Sequence, residues 1–277
     1  METDIKILTL NLFLRPPGIH TNDSDYKDLR TYVFIDQCIS SYDIICLQEV
    51  FSTLNSRKKQ IINQAKNKGF LYHCQSPRPN PFYGHIIDSG LLILSKYPIV
   101  ENDSITFSEG KSADRLSSKG VVYAKIKVDD IFLHIFTTHT QASYNTPEYE
   151  EFLKYRLLRR RQIKEYKDFI DLKTLNTSYP TIITGDFNID GLENRKPPKF
   201  SSPCQDDYIH LTWIFSSEGT NDIIDIIRSK YGKSLATYGR VYENGLPIET
   251  ILTAKEYSTS NECLDYIFLI PNKVIYN

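Results

Sequence analysis

The chain has 277 residues, of which 40% are hydrophobic and 24% charged, and its formal net charge is −1. That length supports one large domain or two small ones with a full core. The neutral balance excludes a global positive field that would steer the protein to nucleic acid or anionic lipid, leaving only a local basic groove open.

Met1 runs almost directly into Ile7-Leu8-Thr9-Leu10, with no basic segment followed by a long apolar one, so no secretory signal peptide is expected. Residues 5–10 read as the first strand. Residues 27–39 read as a helix with Asp25 as its N-cap, residues 43–47 as a strand, and residues 55–68 as a helix stopped by Gly69. Strands follow at 90–94, 121–128 and 132–137. Thr146-Pro147-Glu148 then carries the signals of a helix start: a cap residue, proline in first position and an acidic first turn. Phe152, Tyr155, Ile163, Tyr166 and Ile170 fall on one face of that helix, and Arg159-Arg160-Arg161 within it reads as a solvated face. Residues 181–184 and 264–270 complete the strands. Without repeats or linkers, residues 1–277 read as a single domain. Strands and helices interleave, yet several strands lie too close for helical crossovers, which predicts a mixed α/β sandwich.

No apolar run approaches the roughly 20 residues that span a bilayer. The cysteines at 38, 46, 74, 204 and 263 are odd in number, without metal-ligand spacing, and read as thiols in a reducing compartment. The protein is therefore expected to be intracellular, either cytoplasmic or peripheral to a membrane.

Several strands end in polar residues. Asn11 closes the first, Gln48-Glu49 follows the second, and His139, Thr140 and Gln141 follow "HIFTT". "ITGDFNID" places Asp186 and Asn188 two residues apart, where extended backbone would aim both to one side. Asp265 heads the last apolar run. Each alone also fits a turn, a cap or a satisfied core residue. Together they offer a carboxylate and amide for a hard divalent cation, a histidine and amide for anionic oxygens, and a carboxylate to activate water.

The ordered set Asn11, Gln48-Glu49, His139 with Gln141, Gly185-Asp186-Phe187-Asn188 and Leu264-Asp265-Tyr266 resembles the endonuclease/exonuclease/phosphatase superfamily over nearly the whole chain. The resemblance implies an α/β, DNase I-like four-layer sandwich of two packed mixed β-sheets flanked by helices, with metal-dependent phosphoester hydrolysis at one end. It implies that Glu49, helped by Asn11, binds Mg²⁺ (or Mn²⁺), that Asn188 and His139 hold the scissile phosphate, and that Asp186 orients or deprotonates water. "SADRLSSKGVVYAKI" further resembles the neutral sphingomyelinase branch, with Asp114 and Lys119 as its Asp-x4-Lys-Gly segment. That branch implies cleavage of sphingomyelin to ceramide and phosphocholine at a membrane surface. Lys119 would then meet the phosphodiester, or be fixed and hidden by Asp114.

In the family, the aspartate of the Leu-Asp-Tyr segment orients a histidine of a later Ser-Asp-His motif. No histidine follows His210 in these 277 residues. The expectation is a C-terminally incomplete domain, short of its last strand, with a free sheet edge, an Asp265 that is either solvent-exposed through the gap or raised in pKa, and very low activity. Two alternatives stay open: a nuclease or phosphoinositide phosphatase of the same fold, and a non-catalytic fragment or binding protein. Phe82 and Tyr83 fit either an exposed aromatic anchor or the core.

Overall fold

The computed structural model describes residues 4–20, 25–79, 82, 84–143, 149–175, 177–192, 204–216, 222–239, 242–243, 246–247 and 262–271. In chain order the elements are β1 (Ile7–Leu14), α1 (Lys27–Val33), β2 (Ile44–Val50), α2 (Arg57–Lys66), β3 (Tyr72–Gln75), β4 (Leu92–Ser95), β5 (Ile99–Thr106), β6 (Gly120–Val128) and β7 (Ile131–His139). There follow α3 (Tyr149–Lys173), β8 (Thr181–Asp186), α4 (Cys204–Phe215), β9 (Ile224–Asp225), α5 (Ile226–Tyr231), β10 (Tyr242–Glu243), β11 (Leu246–Pro247) and β12 (Asp265–Ile270). The expected helix start at residues 146–148 and Tyr83 lie outside the described residues.

Two mixed sheets, ordered β1-β2-β4-β3 and β5-β6-β7-β8-β12-β9, form the centre of the fold. Side chains alternate across a strand, and the apolar clusters follow that period. Ile44, Cys46 and Ile93 from the first sheet meet Val122, Ala124 and Ile135 from the second, so this cluster is the seam between the sheets. The alternate residues Ile45, Leu47, Leu92 and Leu94 pack with Phe34, Ile35, Ile61 and Ala65 of the first helical layer. On the other flank Tyr123, Phe136, Ile183 and Phe268 pack with Ile163, Tyr166 and Ile170 of α3 and Leu211 and Phe215 of α4. The layers are helix, sheet, sheet, helix, as expected. Coverage on both faces explains why the inner strands read as unbroken apolar runs.

β3 and β5 carry no such run and escape a periodicity reading. Each is an outer strand of its sheet, and most of their side chains face solvent. Polar outer strands discourage edge-to-edge pairing. β1 is an edge too: Ile7, Leu8, Thr9 and Leu10 are only half-buried, whereas the facing residues of β2 are fully buried.

Asp25 is not the cap of α1. Tyr26 holds that position in left-handed backbone without a side-chain bond, and buried Asp25 instead pairs with Arg15 at 2.7 Å. Beyond Val33 the coil widens into a π-helical stretch at Phe34–Cys38 and tightens at Ile39–Ser41. α2 begins at Arg57, with Asn55 accepting from its N–H at 3.0 Å, and the chain turns away at Gly69 with φ +91°.

Strand directions gather the loops. β1 and β2 are parallel, β4 antiparallel to β2 and β3, and β6 antiparallel to β5 and β7. The loops after β1, β2, β3, β5, β7 and β8, and the start of β12, therefore share one end of the sandwich.

Candidate active site

The first sheet supplies Asn11, Gln48 and Glu49. Asn11 pairs with Gln48 across the parallel β1–β2 ladder, which then slips before Leu14 meets Val50. At the slip Phe13 and Glu49 take φ of +56° and +54°, a conformation costing a non-glycine residue about 1–3 kcal/mol. Gly90 makes room, since a Cβ there would lie 3.0 Å from the Glu49 Cα.

The second sheet supplies His139, Asp186 and Asp265. They stand abreast on three adjacent strands, because Asp186 is the register partner of both His139 and Asp265. Close packing of β7 on β8 requires Gly185, whose Cβ would lie 2.3 Å from the Thr138 carbonyl oxygen. Asp186 and Asn188 do meet, but through a turn rather than extended alternation. Asp186 Oδ1 accepts from the Asn188 N–H at 2.9 Å, and Asn188 has φ +50°. The turn reading of that octapeptide holds, and the turn sets Asp186 beside His139 and Asp265. Asn188 Nδ2 also donates to the Thr140 carbonyl at 3.1 Å.

Asn11 joins the sheets. Its Nδ2 donates to Glu49 Oε1 at 2.9 Å and to Asp186 Oδ2 at 2.9 Å. Its Oδ1 accepts from the Phe13 N–H at 3.0 Å, so in this arrangement Asn11 clamps two carboxylates instead of offering an oxygen to an ion. Beside it, Gln48 Nε2 donates to Thr137 Oγ1 at 2.9 Å across the seam.

Lys119 is buried. Its Nζ donates to the Thr140 carbonyl at 2.8 Å and approaches Asp114 Oδ2 at 3.1 Å and His139 Nε2 at 3.2 Å. Three partners occupy the three ammonium protons, so of the two roles open to Lys119 the geometry matches the one in which Asp114 fixes it. Asp114 is held in turn by Gln141 Nε2 at 2.8 Å and the Ala142 N–H at 3.0 Å.

Burial sets the charges. Desolvation, then the Lys119 cation, pushes the His139 pKa well below the imidazole range, keeping the ring neutral. Accepting from Lys119 at Nε2 assigns its proton to Nδ1, a buried atom with no hydrogen-bond partner among the described residues. Desolvation also raises Glu49, opposed by the Asn11 bond, and Asp186, opposed by Asn11 and Asn188. Asp265 is raised well above the carboxylate range by burial and then by Asp186 and Glu49, and its Oδ1 has no partner among the described residues. Three carboxyl groups repelling one another, Asp186 buried and Glu49 and Asp265 half-buried, with an unmet oxygen, fit a hard divalent cation. Among the described residues no three His, Cys, Asp or Glu side chains form a closed cage, so such an ion would rest on Glu49 and keep water or substrate oxygens.

Asn11, Glu49, Asp114, Lys119, His139, Asp186, Asn188 and Asp265 all lie at this one end. The arginine triplet corrects the sequence reading: only Arg161 is exposed, paired with Glu109 at 2.9 Å, while Arg160 pairs with Asp207 at 2.9 Å. Arg159 is buried, its pKa lowered to about 10 by desolvation, and donates to the Gln141 carbonyl at 3.2 Å and Ser143 Oγ at 2.6 Å. Gln162 Oε1 accepts from the Gln141 N–H at 2.8 Å. The signal was present, since Arg159 lies four residues from both Tyr155 and Ile163 on the apolar stripe.

The profile of the Endonuclease/Exonuclease/phosphatase family matches residues 8–269. A sphingomyelinase of Dictyostelium discoideum is 33% identical over 92% of this chain and 62% of its own length. Sphingomyelinase C of Bacillus cereus is 29% identical over 72% of this chain and 61% of its own length. The chain thus spans less than two thirds of the length of these relatives. A double mutant of Staphylococcus aureus beta toxin with bound magnesium ions superposes with a TM-score of 0.67 at 23% identity, over 97% of this chain and 84% of that one.

Proposed function

The chain belongs to the endonuclease/exonuclease/phosphatase family, and on that premise we propose that it is a Mg²⁺-dependent phosphodiesterase that cleaves sphingomyelin to ceramide and phosphocholine. The observation that carries the reading is the Asn11 clamp, which sets Glu49 and Asp186 side by side at the mouth of two sheets. The substrate assignment draws on the Dictyostelium and Bacillus sphingomyelinases and on the Asp114–Lys119 pair.

A divalent cation held by Glu49 would supply charge neutralisation at the phosphate. His139, whose Nε2 lies 3.7 Å from Asp186 Oδ2, and Asn188, through its second amide proton, hold non-bridging phosphate oxygens. Asp186, made more basic by burial, orients the attacking water and takes its proton. The water oxygen bonds to phosphorus, the bond from phosphorus to the ceramide oxygen breaks, and that oxygen takes up a proton. Lys119, fixed by Asp114, keeps His139 neutral and in one tautomer. Asp265 adjoins Asp186 and leaves an oxygen for the histidine that the family resemblance implies.

The test incubates the chain with sphingomyelin and Mg²⁺ and identifies the products. Phosphocholine and ceramide, lost with a chelator and in Asp186→Asn, are expected. Release of free choline, nicking of plasmid DNA in place of lipid cleavage, or chelator-insensitive turnover would overturn the reading.

A further inference from the structure

Helix α3 runs along the two segments that carry the Asp114–Lys119–His139 contacts. Its Tyr155, Arg159, Gln162 and Glu165 follow one another by steps of three or four, which places them on one stripe. Tyr155 Oη lies 2.7 Å from Ser112 Oγ, and Glu165 accepts from the Ser108 N–H at 2.9 Å, so both hold the segment that leads into Asp114. Arg159 holds the other segment, at Gln141 and Ser143. Gln162 binds the two together. Its Oε1 accepts from the Gln141 N–H at 2.8 Å, and its Nε2 donates to the Glu109 carbonyl at 2.9 Å. From Gln141 the contacts pass inward: Oε1 accepts from the Lys111 N–H at 2.8 Å, and Nε2 donates to Asp114 at 2.8 Å. Asp114 meets Lys119, and Lys119 meets His139.

A buried amide needs partners wherever it sits, so satisfaction alone would make Gln162 an ordinary core residue. Two features go further. Gln162, at 1% exposure, uses both ends of its amide on backbone groups of separate segments, and each segment bears a group of the site. Ser112 heads the turn Ser112–Leu116 that presents Asp114, and it has φ +57°. Such backbone persists only where its surroundings enforce it, and the Tyr155 hydroxyl is one of those contacts. We infer that Gln162 and Tyr155 are positioning residues, which fix the Asp114 turn against residues 139–142 and so hold Lys119 on Nε2 of His139. The inference deepens the phosphodiesterase reading, on which only the kinetic part of its test rests.

The test reads the His139 tautomer from its imidazole ¹⁵N shifts in the full chain, with the signal identified by its loss in His139→Gln. The native protein should carry the proton on Nδ1. Gln162→Met, similar in volume, should raise the share protonated on Nε2 about tenfold or more, the ratio expected for losing one hydrogen bond from a charged donor. Tyr155→Phe should move the ratio the same way by less. Ile170→Ala, a core truncation near the far end of α3, should lower the melting temperature and leave the tautomer native. With Mg²⁺, kcat for soluble p-nitrophenyl phosphocholine should fall about 10–100-fold in Gln162→Met, with little change in KM, and hold in Ile170→Ala. A native tautomer in Gln162→Met overturns the inference. So does an equal shift in Ile170→Ala, or an unchanged kcat in Gln162→Met where the native protein is active. Should Gln162→Met fail to fold, Tyr155→Phe decides, a shifted tautomer sustaining the inference and a native one overturning it. A shifted tautomer in a protein whose native form hydrolyses no choline phosphodiester sustains the positioning and sinks the phosphodiesterase reading instead.

Discussion

Replacing Asn11 by alanine removes the amide that donates to Glu49 and Asp186 at once, leaving Glu49 without that bond and Asp186 held by the Asn188 N–H. Mg²⁺ affinity measured by calorimetry should fall about 10–100-fold, the usual cost of losing a residue that orients a ligand. Glu49→Gln should abolish binding, and unchanged affinity there would remove Glu49 from the site. Lys119 gains a second consequence from its burial. The ammonium is enclosed by Asp114, His139 and Thr140, so Lys119→Ala should cost stability as well as turnover. Chemical denaturation should show a loss of about 3 kcal/mol, and an NMR titration a more basic His139; intact stability would contradict the buried arrangement. His134 gives the pH dependence. It lies buried between Tyr123 and Thr177, and desolvation lowers its pKa to about 4. A histidine held neutral in the fold stabilises fully above its unfolded pKa of about 6.5, and that contribution declines as pH falls toward 4. Unfolding free energy should drop by about 2 kcal/mol across that window. His134→Gln should flatten the drop, and an unchanged slope would rule His134 out.

At the scale of elements, close approach is the controlling constraint. A Cβ on Gly185 would strike the Thr138 carbonyl, so Gly185→Ala must push β8 from β7 and separate Asp186 from His139. We expect a large loss of stability, read as a fall in melting temperature of ten degrees or so for about 3 kcal/mol; a native-like melting curve would show that the strands pair differently. The buried strands were legible because apolar cover on both faces writes itself as an unbroken run. Strand ends were not: β2 extends through Glu49 and β1 through Leu14, because the ladder slip carries polar and left-handed residues that resemble a turn. β3 and β5 were hidden because edge strands need no apolar period. Arg159 sat in view on the stripe of α3, yet a charged triplet reads as surface unless its place on the helical wheel is weighed.

For the whole molecule, the site exists only where the two sheets meet. Asn11 and Gln48 reach from the first sheet to Asp186 and Thr137 of the second, spanning 175 and 89 residues of sequence. No local pattern encodes such distances, so the members of the site were legible while the Asn11 clamp and the Lys119–Asp114–Gln141–Arg159 chain were not. The central claim is that residues of both sheets work as one unit on a choline phosphodiester. A double-mutant cycle on kcat/KM for sphingomyelin, with Asn11→Ala and Asp186→Asn, tests it most directly. At saturating Mg²⁺, where weaker metal binding at Glu49 does not limit turnover, the account predicts that Asp186→Asn alone costs about 10²–10⁴-fold and that adding Asn11→Ala costs little more, since the clamp then has no charge left to orient on that side. Losses that multiply as independent factors, or turnover untouched by either change, would contradict it.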